Sequence, residues 1–434
     1  MAQSESSQAN LILTRPEPRE TRYSWYVLGV LTLVYLSNNI DRQILAVLIN
    51  DIKAEFGVSD TQIGLLAGPA FAIFYTLLGL PIARWADHGN RRSIIALGLS
   101  VWSVMTALAG MAQSFAQLTL ARIGVGVGEA AGTPPAHSLI SDYFPSSSRG
   151  RALGIYASGQ YLAGPIGVIG GAWIAAEYGW RAAFLVFGVP GLLLALLVRS
   201  TVREPLRGCM DAAPPAPMAA SREALRALFA KRSYFYVLFG GALHALSVYG
   251  LVIWIYVFME RVHGMSMKEA SVYIGLLSLL FGLLGVALGG WIVDRLSPKD
   301  ARWFLWLPSL QAVIGAPFIL LFLYLERLDL ALASYVIYWV LAAGYNAPVY
   351  ALIQSLAGAS SRALAVATYL FTVNLIGLAI GPLLIGFLND ELRSVFGEQG
   401  IRYSMMVAGL TNVVAVIFYM AGARTVRRDV ASSC

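Results

Sequence analysis

Long apolar runs alternate along this chain with short breaks marked by charge, glycine or proline. Val27–Leu36, Leu65–Leu80 and Leu276–Val293 are nearly free of charge. Each lies in a stretch of about twenty residues, enough for a helix rising 1.5 Å per residue to cross about 30 Å of hydrocarbon. The pattern predicts twelve such helices, at 24–50, 60–83, 93–112, 117–141, 150–176, 181–199, 234–259, 269–293, 302–325, 330–355, 362–389 and 402–423. The expected fold class is therefore an all-α membrane protein.

Basic residues orient the spans. Of the 31 Lys and Arg, 22 fall on the side that holds both termini, 7 on the other, and two inside spans. Both termini are expected in the cytoplasm, in a multi-pass protein of the cell membrane. The first twenty-odd residues are polar and mixed in charge and lack the pattern of a secretory signal. The first helix is expected to act as its own insertion signal.

Composition narrows the classes further. The chain is 58% hydrophobic and 13% charged, against about 25% charged in an ordinary soluble domain. A cytosolic globule, a disordered chain and a coiled coil are excluded. The net charge of +7 is mostly orientation, so no nucleic-acid partner is expected. Cys209 and Cys434 cannot form a disulfide framework and have no metal-ligand neighbours. Neither a metal nor a cofactor is expected.

A basic stretch from Arg199 to Arg232 separates two halves and contains Pro214, Pro215 and Pro217, a semi-rigid linker composition suited to lie against anionic lipid headgroups. The expected organisation is a cytoplasmic tail at 1–23, a six-helix bundle at 24–199, a linker at 200–233, a second bundle at 234–423 and a tail at 424–434. The halves repeat. Gly79–Asp87, followed by Arg91–Arg92, corresponds to Gly289–Arg295 six spans later; Arg149, Arg151 and Gly164–Pro165 correspond to Arg362 and Gly381–Pro382. Such a parallel repeat places a substrate site near the midplane, between the bundles.

These residues resemble the major facilitator superfamily over essentially the whole chain. The Asp87…Arg91–Arg92 loop looks like its cytoplasmic signature, departing in His88 and in the position of Gly89. Arg122–Ile–Gly124–Val–Gly126 looks like the family's span-four arginine motif, and Gly159…Gly164–Pro165…Gly170–Gly171 is similar to its glycine–proline motif. Asn38–Asn–Ile–Asp41–Arg42 with Gly126–Val–Gly–Glu129–Ala resembles the spinster branch, which includes lysolipid and sphingosine-phosphate transporters. The resemblance implies two pseudo-symmetric six-helix bundles. It also implies that Asp87 sits near Arg362 when the cytoplasmic side is closed, with Arg91, Arg92, Arg149 and Arg151 as further gating residues.

Charges inside hydrocarbon are functional by default. Four stand out: Asp41, Arg42, Arg122 and Glu129. At 1.5 Å per residue, Asp41 lies about 24 Å from the cytoplasmic end of span one, and Arg122 and Glu129 lie roughly 8 and 18 Å from the outer end of span four. Asp41, Arg42 and Arg122 are expected on one level, with Glu129 below them as an isolated carboxyl. Burial favours a protonated carboxyl, so Glu129 is the expected main proton site and Asp41 a coupled second one. Arg122, with Arg42, is the expected switch or anion ligand. The alternative is a structural ion-pair network that fixes spans one and four. Thr133–Pro134–Pro135 is expected to interrupt span four just below Glu129. His137 is expected to be a buried packing residue.

In the second half, His244, Ser247, Tyr249, Trp254, Tyr345, Asn346 and Tyr350 offer apolar bodies with polar tips. Charge on one wall and aromatic surface on the other suit an amphipathic, lipid-like substrate. The expected protein is not an enzyme but a secondary active transporter, a monomer, moving that substrate with protons. A facilitative, organic-anion or sugar-type carrier is the alternative.

Overall fold

The structure, a computed structural model, describes residues 20–210, 221–357 and 361–432. Pro214, Pro215, Pro217 and Cys434 lie outside them. Among the described residues the chain is helical, without strands.

Span one is α1 (Arg22–Phe56). Thr21 and Ser24 start it with a capping box, and Gly57, at φ 64°, ends it. Span two is broken at Gly68 into α2 (Asp60–Ala67) and α3 (Pro69–His88). Span three is α4 (Arg91–Ala109). Span four is α5 (Phe115–Glu129) and α6 (Thr133–Tyr143). Spans five and six are α7 (Ser146–Tyr178) and α8 (Trp180–Thr201). A short α9 (Ser221–Phe229) precedes α10 (Arg232–His263), which is span seven. Spans eight and nine are α11 (Met267–Leu296) and α12 (Trp303–Tyr324). Span ten is α13 (Leu328–Gly344) and α14 (Asn346–Leu356), broken at Tyr345. Span eleven runs through α15 (Arg362–Thr372), a π segment Val373–Leu378 and α16 (Ala379–Phe396). Span twelve is α17 (Gly400–Ala423), followed by α18 (Val426–Ala431).

Eight stretches of the described residues are long and apolar enough to cross a membrane by length and composition, and one of them, Leu364–Ala423, contains both spans eleven and twelve. Spans one, four and five fall outside that set. Asp41, Arg42, Arg122 and Glu129, and the glycines of span five, dilute their apolar average. Outward-facing leucines such as Leu77, Leu193 and Leu280 are exposed, as a hydrocarbon environment requires.

The spans form two bundles of six. In the first, α1 packs on α7 and α4 on both α5 and α8; in the second, α10 packs on α17 and α13 on both α11 and α12. The bundles meet where span two packs on span eleven, span five on span eight and span one on span seven. Spans two and eight correspond under the six-span repeat, as do five and eleven, so the first two contacts are one contact made twice. The span two–eleven seam is backbone against backbone. A Cβ at Gly64 would lie 2.6 Å from the Pro382 carbonyl oxygen, and one at Gly68 2.4 Å from that of Ala379.

Candidate functional site

The four charges of the first half converge, though not as their depths imply. Glu129 ends α5, and its carboxylate is fully buried and ion-paired. Arg42 donates to it through Nε at 2.7 Å. This corrects the isolated carboxyl. The partner comes from span one, and the long arginine stem reaches down the gap that the helical rise puts between the two levels. The Arg42 guanidinium also lies 4.4 Å from the ring centre of Tyr75 and 4.9 Å from that of Phe71, while Arg122 lies 5.3 Å from the other side of the same cluster, at Phe71. Arg122 donates to the backbone carbonyl of Asp41 at 3.0 Å rather than to its carboxylate. Asp41 Oδ1, Glu129 Oε1, Arg122 Nε, Thr106 Oγ1 and both polar atoms of Asn38 have no hydrogen-bond partner among the described residues. Spans one to four thus enclose a polar cluster with unspent hydrogen-bonding capacity.

The break in span four follows Glu129 directly. Gly132 N–H turns back to the Glu129 carbonyl at 3.0 Å, and Pro134 and Pro135 open α6, where missing N–H groups cost nothing. His137 is exposed, with its ring edge on Tyr156. It is not the buried packing residue expected, because α6 packs on α1, α3, α4 and α7 and leaves the imidazole side uncovered.

A cavity of about 510 Å³ lies beside this cluster, mostly in the second bundle. Tyr249, Tyr345, Asn346 and Tyr350 line it as expected, and Gln43, Gln160, Tyr161, Tyr335, Trp339 and Tyr369 join them. His244, Ser247 and Trp254 do not. His244 is buried behind Tyr345, ring centres 3.8 Å apart, with Nε2 at 3.3 Å from the Ala342 carbonyl. Ser247 takes a hydrogen bond from Asn412, and Trp254 donates to the Pro382 carbonyl across to span eleven. Facing inward at the right depth did not place them on the cavity, since neighbouring helices cover that side of span seven.

The residues expected to gate lie on the termini side. Arg91 is buried inside its own bundle, where it meets Asp142 and, at 2.7 Å, Glu204 from the segment after span six; its Nη1 also donates to Ser138. Arg92 donates its backbone N–H to Glu204 and its side chain to the Val202 carbonyl. Both arginines therefore anchor the start of the linker and do not reach the other bundle. The carboxylates offered by span four and the linker are nearer than anything across the interface. Arg149 donates to the Ser141 carbonyl, and Arg151 lies over Trp25. Asp87 and Arg362 are both exposed, and the structure does not bring them together.

On the opposite side the bundles are latched, a feature the sequence reading missed. Asp60 accepts both Arg261 guanidinium nitrogens of span seven (2.6 and 3.0 Å), the Asn389 amide of span eleven and Lys53 of span one. Reciprocally, Asp390 of span eleven accepts the N–H groups of Asp60 and Thr61 at 3.0 and 2.7 Å, and so caps α2 from the other bundle. Asn50 reaches Glu260, and Lys268 pairs with Glu177. Charged residues gathered at the ends of spans one, two, seven and eleven were the available signal; the topology count absorbed the basic ones. Among the described residues, every hydrogen bond and ion pair between the bundles lies on this side.

Comparison with known proteins agrees with the geometry. The family model described as Major Facilitator Superfamily matches residues 31–382. An "MFS-type efflux pump" of Mycolicibacterium smegmatis is 34% identical over 413 residues, 94% of this chain and 95% of the pump. "Protein spinster homolog 1" of Xenopus laevis is 27% identical, covering 94% of this chain and 82% of that protein. The crystal structure of a bacterial homolog of the human lysosomal transporter Spinster, inward-facing and unoccupied, superposes with a TM-score of 0.87 at 33% identity, covering 95% of this chain and 99% of that one. Its inward-facing, occupied form gives 0.85 at 32% identity.

Proposed function

This chain belongs to the major facilitator superfamily of membrane transporters, and we propose that it is a proton-coupled secondary active transporter for an amphipathic, lipid-like small molecule. One observation carries the reading: a buried carboxylate–guanidinium cluster in one bundle stands beside an uncharged aromatic cavity in the other. The first is suited to hold and release a proton, the second to bind an apolar body with a polar tip. The relatives named as an efflux pump and as spinster homologs support transport as the activity.

The proton step follows from the ion pair. Ionised Glu129 holds Arg42 at the break in span four. A proton on Glu129 removes the charge that Arg42 neutralises and frees the guanidinium, loosening span one from span four. Asp41, with Oδ1 unpaired, is the second carboxyl of the cycle, and Arg122 ties its backbone to span four. Alternating access then trades the Asp60–Arg261 latch for contacts on the termini side, where Asp87 and Arg362 meet. The termini lie in the cytoplasm by the distribution of basic residues, and the protein acts as a monomer. The anion-carrier alternative finds less support, since Arg42 is already ion-paired with Glu129 and no charged side chain lines the cavity.

The test is proton flux in proteoliposomes with an internal pH dye and an imposed gradient. Wild-type protein should move protons with substrate, and Glu129→Gln should not. Undiminished, pH-dependent flux in Glu129→Gln would overturn the proton site.

A further inference from the structure

The cavity carries hydrogen-bonding groups but no charge: its polar lining consists of tyrosine, asparagine, glutamine, serine and one tryptophan. Its ends differ. From Tyr335 to Tyr350 along span ten is about 22 Å at 1.5 Å per residue, so the space is long. Toward the opposite side the polar atoms of spans eight and ten are spent on one another. Ser278 Oγ and Tyr335 OH are 2.7 Å apart, and Trp339 Nε1 donates to the Ser278 carbonyl at 2.9 Å. With Ile274 and Leu279 also in the lining, that end offers a ligand mostly apolar faces, Tyr256 supplying a hydroxyl.

Toward the termini side more of the capacity is unspent, although the Asn346 amide donates to the Ala343 carbonyl at 3.4 Å. Tyr345, Asn346 and Tyr350 follow the break in span ten, and Tyr369 of α15 faces them, its ring edge-on to Tyr350 at 5.5 Å. Tyr369 is 1% exposed, and its hydroxyl has no hydrogen-bond partner among the described residues. Gly241 makes room for it: a Cβ there would lie 2.6 Å from the ring and 2.7 Å from the hydroxyl oxygen. A buried hydroxyl without a partner is costly, and glycine at this contact preserves the placement. His244 is a positioning residue, packed against the Tyr345 ring from behind and bonded to the backbone just before the break.

We propose that this end, formed by Tyr345, Asn346, Tyr350 and Tyr369, binds an uncharged hydrogen-bonding group of the ligand, a hydroxyl or carbonyl of the kind found in a glyceride or glycoside. The apolar part of the ligand runs along spans eight and ten toward the opposite side. The assignment rests on the transporter reading above and narrows its substrate to a neutral polar group. A bare phosphate or ammonium would be desolvated here without a counter-charge, because no charged side chain lines the cavity and Arg42 is paired with Glu129.

The test is calorimetric binding to the full chain in lipid nanodiscs without a proton gradient, with empty nanodiscs subtracted. The probes share one chain: 1-O-octylglycerol, octyl phosphate and octyltrimethylammonium. Octylglycerol should bind at least about tenfold more tightly than either ion, and Tyr369→Phe should weaken it by about tenfold while leaving the ions unchanged, as expected for one buried hydrogen bond. Should Tyr369→Phe fail to fold, Asn346→Ala reads the same loss. Octyl phosphate or octyltrimethylammonium binding as tightly as octylglycerol, no binding by any probe, or octylglycerol binding unchanged in the folded variant would each overturn the proposal. Proton flux is not read here, so a failure of Glu129 coupling is told apart from a failure of this site.

Discussion

Arg42 Nε donates to Glu129 Oε2 at 2.7 Å, joining the middle of span one to the residue at which span four breaks. The pair is both a structural tie and the point at which a proton changes the charge balance. The two roles separate by mutation. Arg42→Ala leaves a carboxylate buried without its partner and should lower stability by about 3–5 kcal/mol, read as a thermal shift in detergent. Arg42→Met combined with Glu129→Gln should restore most of that stability while transport stays lost. A double variant as unstable as Arg42→Ala would mean the pair is not what stabilises this region.

The reciprocal aspartates on the opposite side set the resting conformation. Asp390→Ala removes the cap that span eleven places on α2. A lost cap costs about 1 kcal/mol, roughly a fivefold shift in population toward the state with that side open. Distances between spin labels on the ends of spans two and eleven should show it. An unchanged distance distribution would argue that the cap does not bear on the equilibrium.

Gly64 tests the seam below that latch. A methyl group there meets the Pro382 carbonyl, which is backbone and cannot turn aside. Gly64→Ala should therefore favour the same open state, with folding retained, because the two bundles separate at this contact without unfolding. Full retention of the closed distance would contradict it.

The Lys268–Glu177 pair gives a pH window. The hydrogen bond from Lys268 holds the Glu177 carboxyl below the usual carboxylate range. A depressed value means the contact is fully present above the ordinary value of about 4.3 and is lost only as pH falls through the lowered one. Cross-linking between cysteines at these two positions' neighbours should be flat from pH 8 to about 5. A loss of cross-linking above pH 5 would contradict it.

Arg91 and Asp87 should part company. Arg91→Ala strands the Asp142 and Glu204 carboxylates, and a loss of about 3–5 kcal/mol should appear in thermal unfolding. Asp87, exposed and without a described partner, should be silent there. Asp87→Asn should instead shift the population toward the state in which the termini side is open. Equal destabilisation by both would refute the division.

Much of the molecule was legible in the order of its residues. Apolar runs with capped ends specify helices locally, through backbone hydrogen bonds that close within each segment. The basic bias orients them, and the six-span repeat of Gly79–Arg92 with Gly289–Arg295 announces two similar bundles. Buried charge is conspicuous against an apolar background, so Asp41, Arg42, Arg122 and Glu129 could be picked out without any structure.

What the sequence alone could not decide is who meets whom. Helical rise places Glu129 below Arg42, yet the length and rotamer of one arginine, set by Phe71 and Tyr75 on span two, close that gap. His244 and Tyr345 look equivalent in one dimension, but helix rotation puts one on the cavity and the other behind it. The Asp60–Arg261 latch joins residues some two hundred positions apart, and nothing local marks them as partners. Helix formation is a property of neighbours in the chain, and the sequence determined it. Side-chain pairing across packed helices depends on rotation, register and reach, and only the tertiary structure decides those.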